Sequence, residues 1–511
     1  MGGVQGTSDS NPQLLDAMAM CGHLVDKSSV HWFLAEHRQG LFPDDLFADL
    51  FPSGRGRPSV PADVIATVMV LQALEGLSDR DAVGQLRMNI AWKVAAGRRL
   101  HDEGFHPTVL TLWRNKLRAS DRPQRIFDAV REVIDATGIL AGKTRRALDS
   151  TVLDDAVTRQ DAIMQLVAQI RRVRRLVPAA RALRLLAHDY DHDPGKPACA
   201  WNDRADIERV VTELVTDAQT ILAALDGVAL DDGQAEAVGL LALVAGQDVE
   251  PGDSKGTWRI APVTRPDRIV SVHDPESRHV HKTTSNYRDG FKAHVGVEPS
   301  TGLITACELT AGNVGDAQTA PALLAGEPEP VEVLADSAYG SGEFRAHLAE
   351  HAHTATIKPI PLSSAIVGGF VIDDFAVDLE AMTATCPNGV TVTISARSRQ
   401  ARFGQRCHRC PLQQRCTRSA AGKVLTVNQH HELLAAARAH ALTPAFTEPY
   451  RQHRPMVERS IAWLIRRGGR KVRYRGIARN RIGLAHRCAA INLRRLINLG
   501  IAWDNRWTLA T

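Results

Sequence analysis

Three carboxylates far apart in the chain, Asp149, Asp336 and Glu458, have the residue type and the local settings that metal-assisted phosphoryl transfer needs. Glu458 is the most telling. It is the only acid between Arg451 and Arg495, a stretch that holds fourteen Lys and Arg. A surface selected only to hold phosphates gains affinity by discarding negative charge, because each basic residue releases counterions and each acid opposes that. A lone carboxylate there is explained by a divalent cation held beside nucleic acid. Asp149, in RRALDSTVL, and Asp336, in VEVLADSAYG, each sit in or at the end of an apolar strand, where ligands of α/β sheets collect. Three converging carboxylates without a cation would repel one another; two Mg²⁺ ions about 4 Å apart remove that conflict and serve an in-line displacement at phosphorus. Simpler roles exist for each acid alone. Asp149 could cap a turn with Ser150 and Thr151, with Asp154 or Asp155 replacing it as ligand, Asp336 could cap a turn, and Glu458 could pair with Arg454 at i,i+4.

A second constellation is Cys386 with Cys407-His-Arg-Cys410 and Cys416. C-x2-C spacing lets two thiolates reach one tetrahedral Zn²⁺, which Cys386 and Cys416, or His408, would complete; four reduced thiols without metal are the alternative. Eight cysteines, four of them clustered, suit a reducing compartment better than a disulfide framework. No secretory leader or membrane span is expected, so the reading is cytoplasmic, at the nucleoid.

The 511 residues call for several subdomains, and the net charge of +5 hides strongly basic segments. Residues 1–140 read as a helical N-terminal DNA-binding domain, entered through a linker at Gly54–Pro61. A candidate helix-turn-helix spans 78–118, with Ser78 as an N-cap and Arg114 and Lys116 available to DNA. Residues 155–255 read as a helical insertion whose Arg171–Arg184 block is either a DNA contact or a solvated face, and 366–432 as a β-rich insertion bearing the cysteines. Strands flank a hairpin at Pro299-Ser300-Thr301-Gly302, a helix is expected over 317–324, and Ser341 should cap a helix after Asp336. Pro455 places the start of the Glu458 helix near itself.

The ordered set LDSTVL, TSNYRDGFKAHVGVEPSTGLITACELTAGNVGDA, VLADSAYGS and YRQHRPMVERSIAWLIRR resembles the transposases of bacterial insertion sequences, in the DDE superfamily, over Arg145 to Leu499. The resemblance implies an α/β fold: a ribonuclease H-like mixed-sheet catalytic domain over 141–511 carrying both insertions, behind the helical N-terminal domain. It implies that Asp149, Asp336 and Glu458 bind two Mg²⁺, with Mn²⁺ able to substitute. The expected partners are double-stranded DNA, both terminal inverted repeats and target, with the protein working as a homodimer or larger assembly. Around the Glu, Tyr450, Arg454 and Arg466 are the nearest matches to the family signature. The Tyr-to-Arg interval is one residue longer, and Ile465 stands where a Lys is expected. Arg451, Arg454 and Arg459 are expected to hold phosphate. The expected reaction is cleavage at the element ends and joining of the 3′-hydroxyl to target DNA. A metal-dependent nuclease that does not join, and a catalytically silent DNA-binding descendant, are the rival readings.

Overall fold

The computed structural model describes residues 4–8, 15–53, 55–263, 265–281 and 287–509. Gly54 and residues 284–286, which open the linker and the second motif, lie outside them. Six strands form the central sheet: β1 (Arg145–Asp154), β2 (Arg278–His281), β3 (Tyr287–Glu298), β4 (Leu303–Ala311), β5 (Glu332–Ala335) and β6 (Thr354–Ile357). β1 lies in the middle. On one side it pairs antiparallel with β3, whose other edge is shared by β2 near its start and β4 along the rest. On the other side β5 and β6 follow in parallel. The result is a mixed α/β fold whose sheet changes from antiparallel to parallel at β1.

Local chemistry explains the turns. The Glu298 carboxylate accepts from the Ser300 and Thr301 amides, and Gly302 takes φ 73°, so the β3–β4 hairpin closes where the Pro-Ser-Thr-Gly sequence predicts. At Gly290 a Cβ would meet the Leu153 carbonyl at 2.0 Å, so glycine lets the ends of β1 and β3 approach. Ser78 accepts from the Asp81 amide and Ser341 from the Phe344 amide, capping the helices Asp79–Met88 and Gly342–Glu350. The helix Asp316–Leu324 covers one sheet face.

The N-terminal helices do not stand apart. Val68, Leu71, Leu110, Val130 and Ile134 share one apolar core with Phe291 and Val295 of the sheet and with Ala485, Ala489 and Leu493 of the long helix Ile477–Asn498. The insertion after β1 has its own core of Leu166, Ile170, Val211, Leu214 and Leu241. The cysteine-bearing segment has a small core around Phe375, Ala384, Ala401 and Phe403. Among the described residues, no helix is long and apolar enough to cross a membrane.

One expectation is overturned. The Glu458 helix begins at Pro444 and runs unbroken to Ile465 through Pro449 and Pro455, so Glu458 lies well inside it. Each proline forfeits an intrahelical hydrogen bond. Burial of Val457 and Leu464 in the core shared with the sheet and the helix Ile477–Asn498, with Phe446 and Ser460 also buried, holds the segment helical despite that loss.

Two buried histidines give the fold a pH dependence. Burial pushes the imidazole of His294 in β3 down to about 4 and that of His486 to about 3. Both values lie below the ordinary one, so the unfolded chain takes up the proton more readily, and stability present above pH 6.5 is lost as pH falls toward 4. The expected slope is about 1.4 kcal/mol per pH unit for each histidine. Urea denaturation at pH 7 and pH 5 should show this loss, and a His294→Gln, His486→Leu double variant should lose correspondingly less between the two.

Candidate active site

β1 carries Asp149 beside β5, which ends immediately before Asp336, and the helix Pro444–Ile465 packs on both strands. The three acids meet on one side chain from that helix. The Arg454 guanidinium lies 3.0 Å from Asp149 Oδ2 and 3.8 Å from Asp336 Oδ2 through Nη2, and 3.9 Å from Glu458 Oε1 through Nε. Its Nη1 donates to the Leu148 carbonyl. Three contacts from one rigid plane keep the carboxylates within about a nanometre of each other. They do not all close to within 4.8 Å, because the guanidinium stands between them.

The simpler roles hold at the same time. Asp149 Oδ1 accepts from the Ser150 amide at 2.8 Å, and Asp336 Oδ1 caps the Ala338 amide at 2.9 Å. In each aspartate the second oxygen is turned to Arg454. Asp154 instead pairs with Arg288, and Asp155 accepts from Ser277 Oγ, so neither joins the cluster.

Side-chain exposures of 16% for Asp149, 44% for Asp336 and 63% for Glu458 give the cluster a buried wall and an open mouth. Burial raises the Asp149 carboxyl above the ordinary range, Arg454 opposes the rise, and the Asp336 charge adds to it. Burial is the largest influence and works against the Arg454 cation, but Asp149, Tyr450 and Asp336 together outweigh it and the guanidinium stays charged. Three carboxylates face one cation, so the donor set is short of positive charge. Hard oxygen donors with a surplus of negative charge suit a divalent ion such as Mg²⁺.

Arg454 therefore does not present itself to a phosphate, as the sequence had suggested. Its side chain is 7% exposed and committed to the acids. Arg114 and Lys116 are corrected in the same way. Arg114 donates to both Asp79 oxygens and to Gln72, under the Tyr474 ring, while Lys116 donates to the Leu50 carbonyl over the ring of Phe51. Those contacts build the helical core. Arg451, Arg459 and Arg466 are exposed, and Tyr450 stacks on Phe446 at the edge of the groove.

Two features escaped the sequence reading. Lys358, just past β6, places Nζ 5.5 Å from the Tyr450 ring centre and lines the same groove as Glu458 and Ser337. Its position at the carboxyl end of the strand parallel to β5 was the available signal. The second is a pocket between the helices Ala62–Glu75, Pro444–Ile465 and Ile477–Asn498, lined by Arg466, Arg467, Arg487, Arg494, Arg495 and Trp463 with no acid among its lining residues. Burial and the neighbouring Arg473 push Arg487 down to about 10, which leaves it cationic at neutral pH.

Cys386, Cys407, Cys410 and Cys416 line one small pocket of the β-rich segment, although no three of these thiols close to within 4.8 Å. Burial raises the Cys416 thiol; Lys423 opposes this and the other three thiols add to it. His408 is not in that lining and donates Nε2–H to the Ala420 carbonyl.

Comparison with known proteins finds a family model described as "Transposase DDE domain" matching residues 385–497. A second, described as "Transposase domain (DUF772)", matches residues 23–116. No curated protein and no solved structure matches. The first match spans Glu458, Arg454 and the four clustered cysteines, and the second spans the N-terminal helices. At both ends, therefore, the chain is similar to transposases, and its C-terminal part to those of the DDE type.

Proposed function

We propose that this protein is a DDE transposase that cleaves its element's ends at terminal inverted repeats and joins the freed 3′-hydroxyl to target DNA by Mg²⁺-dependent phosphoryl transfer. The observation that carries this reading is the convergence of Asp149, Asp336 and Glu458 around Arg454. A ribonuclease H-like core is supported by the strand order, in which an antiparallel set continues across β1 into two parallel strands. Asp149, Asp336 and Glu458 would hold the divalent ions, which supply activation of the attacking oxygen and charge stabilisation of the leaving one. The chain's own residues do the rest. Arg454 holds the acids apart at fixed positions, and the buried wall keeps water from one side of the cluster. Lys358 and Arg451 border the open mouth, where the scissile strand would lie, and the exposed Arg459 follows Glu458 on the same helix.

The arginine pocket fits the adjoining DNA backbone. Arg466 caps the helix eight residues after Glu458, about 12 Å of helix rise, or three to four nucleotides of duplex. Arg467→Ala and Arg494→Ala are each expected to weaken binding across all sequences. Each should also flatten the plot of log affinity against log salt by about 0.9. Anisotropy titrations on inverted-repeat and random duplexes at several salt concentrations measure both effects.

The four cysteines around one pocket supply the thiolates that a structural Zn²⁺ would draw together, clipping a segment with little core of its own. A homodimer or larger assembly on double-stranded DNA completes the proposal.

The deciding experiment supplies pre-cut inverted-repeat ends with a free 3′-hydroxyl, a target plasmid and Mg²⁺. Joined products are expected. Cleavage of intact ends without joining of pre-cut ones would replace the transposition reading by a nuclease. Neither activity would leave a DNA-binding protein.

A further inference from the structure

The helix Gly342–Glu350 carries a second group of ligand-type side chains at its far end, in the run His347-Leu-Ala-Glu350-His351. We propose that His347, Glu350 and His351 form a binding site for a borderline divalent transition-metal ion of the Zn²⁺, Co²⁺ or Ni²⁺ class. Their ligand atoms all lie within 4.8 Å of one another, and no other trio of His, Cys, Asp or Glu among the described residues closes this far. Spacing of i, i+3 and i+4 stacks the three on one face of the last turn, and the two imidazole centres are 4.2 Å apart.

The hydrogen bonding prepares the ligands. His351 Nδ1 lies 2.8 Å from the His347 carbonyl, which can only accept, so Nδ1 carries the proton and Nε2 keeps its lone pair for a metal. His353 is excluded by the same logic. Its Nδ1 accepts the Val331 amide at 3.0 Å, which leaves the proton on Nε2. The carbonyl end of a nine-residue helix adds a field that favours a cation. Glu350 and His351 are exposed, which leaves the site open to an ion with water filling the remaining positions.

Two imidazoles and one carboxylate select borderline metals over Mg²⁺, so this site does not compete for the ions proposed at the carboxylate cluster. Its existence is independent of the reaction proposed above.

The test titrates tag-free, full-length protein with Co²⁺ and Zn²⁺, following stoichiometry by dialysis and the Co²⁺ absorption spectrum. The spectrum separates this site from the cysteine pocket, because only thiolate ligation produces sulfur-to-metal charge-transfer bands. The wild type should bind one ion without such bands. Affinity for that ion should fall at least tenfold in His351→Ala, and the ion should be lost in His347→Ala/His351→Ala. Metal-free melting of His351→Ala should match the wild type, so this exposed single variant decides the matter if the double variant folds poorly. Unchanged stoichiometry and affinity in His351→Ala, or bound Co²⁺ that is entirely thiolate-ligated, would overturn the proposal.

Discussion

Asp149→Asn is expected to reduce Mg²⁺-dependent cleavage of inverted-repeat ends by about 10³-fold or more, some 4 kcal/mol of transition-state stabilisation. Asp336→Asn and Glu458→Gln should cause losses of the same order, since each removes one anionic ligand from a three-acid set. Stability should separate them. Asp336 and Glu458 lie at the open mouth, so their neutral isosteres should stay within about 0.5 kcal/mol of the wild type in urea denaturation. Asp149→Ala should cost about 3 kcal/mol, because it strips the buried Arg454 of its nearest partner. Nicking assays on end-containing duplexes, run beside denaturation curves, measure both quantities. Cleavage retained in Asp149→Asn would remove these carboxylates from the chemistry.

Arg454→Ala should destabilise the metal-free protein by about 3 kcal/mol, because Asp149 would remain buried against Leu148 with no cation beside it. Its carboxyl is already raised by burial and would rise further. The loss should be unequal across conditions. Without the guanidinium the three acids repel more strongly, so Mg²⁺ or Mn²⁺ should raise the melting temperature of the variant more than that of the wild type. Arg454→Lys should fall between the two, since a single ammonium cannot serve the Leu148 carbonyl and three carboxylates together. Thermal melts with and without the ion report the difference. A variant as stable as the wild type would mean that the guanidinium is not the counter-ion that organises the cluster.

Short-range chemistry was legible in the chain before any fold was known. Ser78 and Ser341 cap helices because a hydroxyl three residues ahead of an amide needs no distant partner. Pro299 to Gly302 turns for a similarly local reason. The acids were also legible, as exceptions to their surroundings: Glu458 alone among arginines, and Asp149 and Asp336 in apolar strands. What each basic residue does was not. Arg454, Arg114 and Lys116 look like neighbouring DNA-facing arginines and lysines in sequence, yet each is spent inside the protein on partners at separations of 306, 35 and 66 residues. The start of the Glu458 helix was misplaced for the same reason, since packing against distant elements holds three prolines in one helix.

Sequence by itself determined the mixed α/β class and the transposase likeness, because those rest on residue type and local pattern. Tertiary structure alone decided that one guanidinium gathers the three acids, that five arginines line a pocket, and that the N-terminal helices share a core with the helix after Glu458. The physical reason is that a charged side chain faces water or protein according to what packs against its element, and that partner lies far away along the chain.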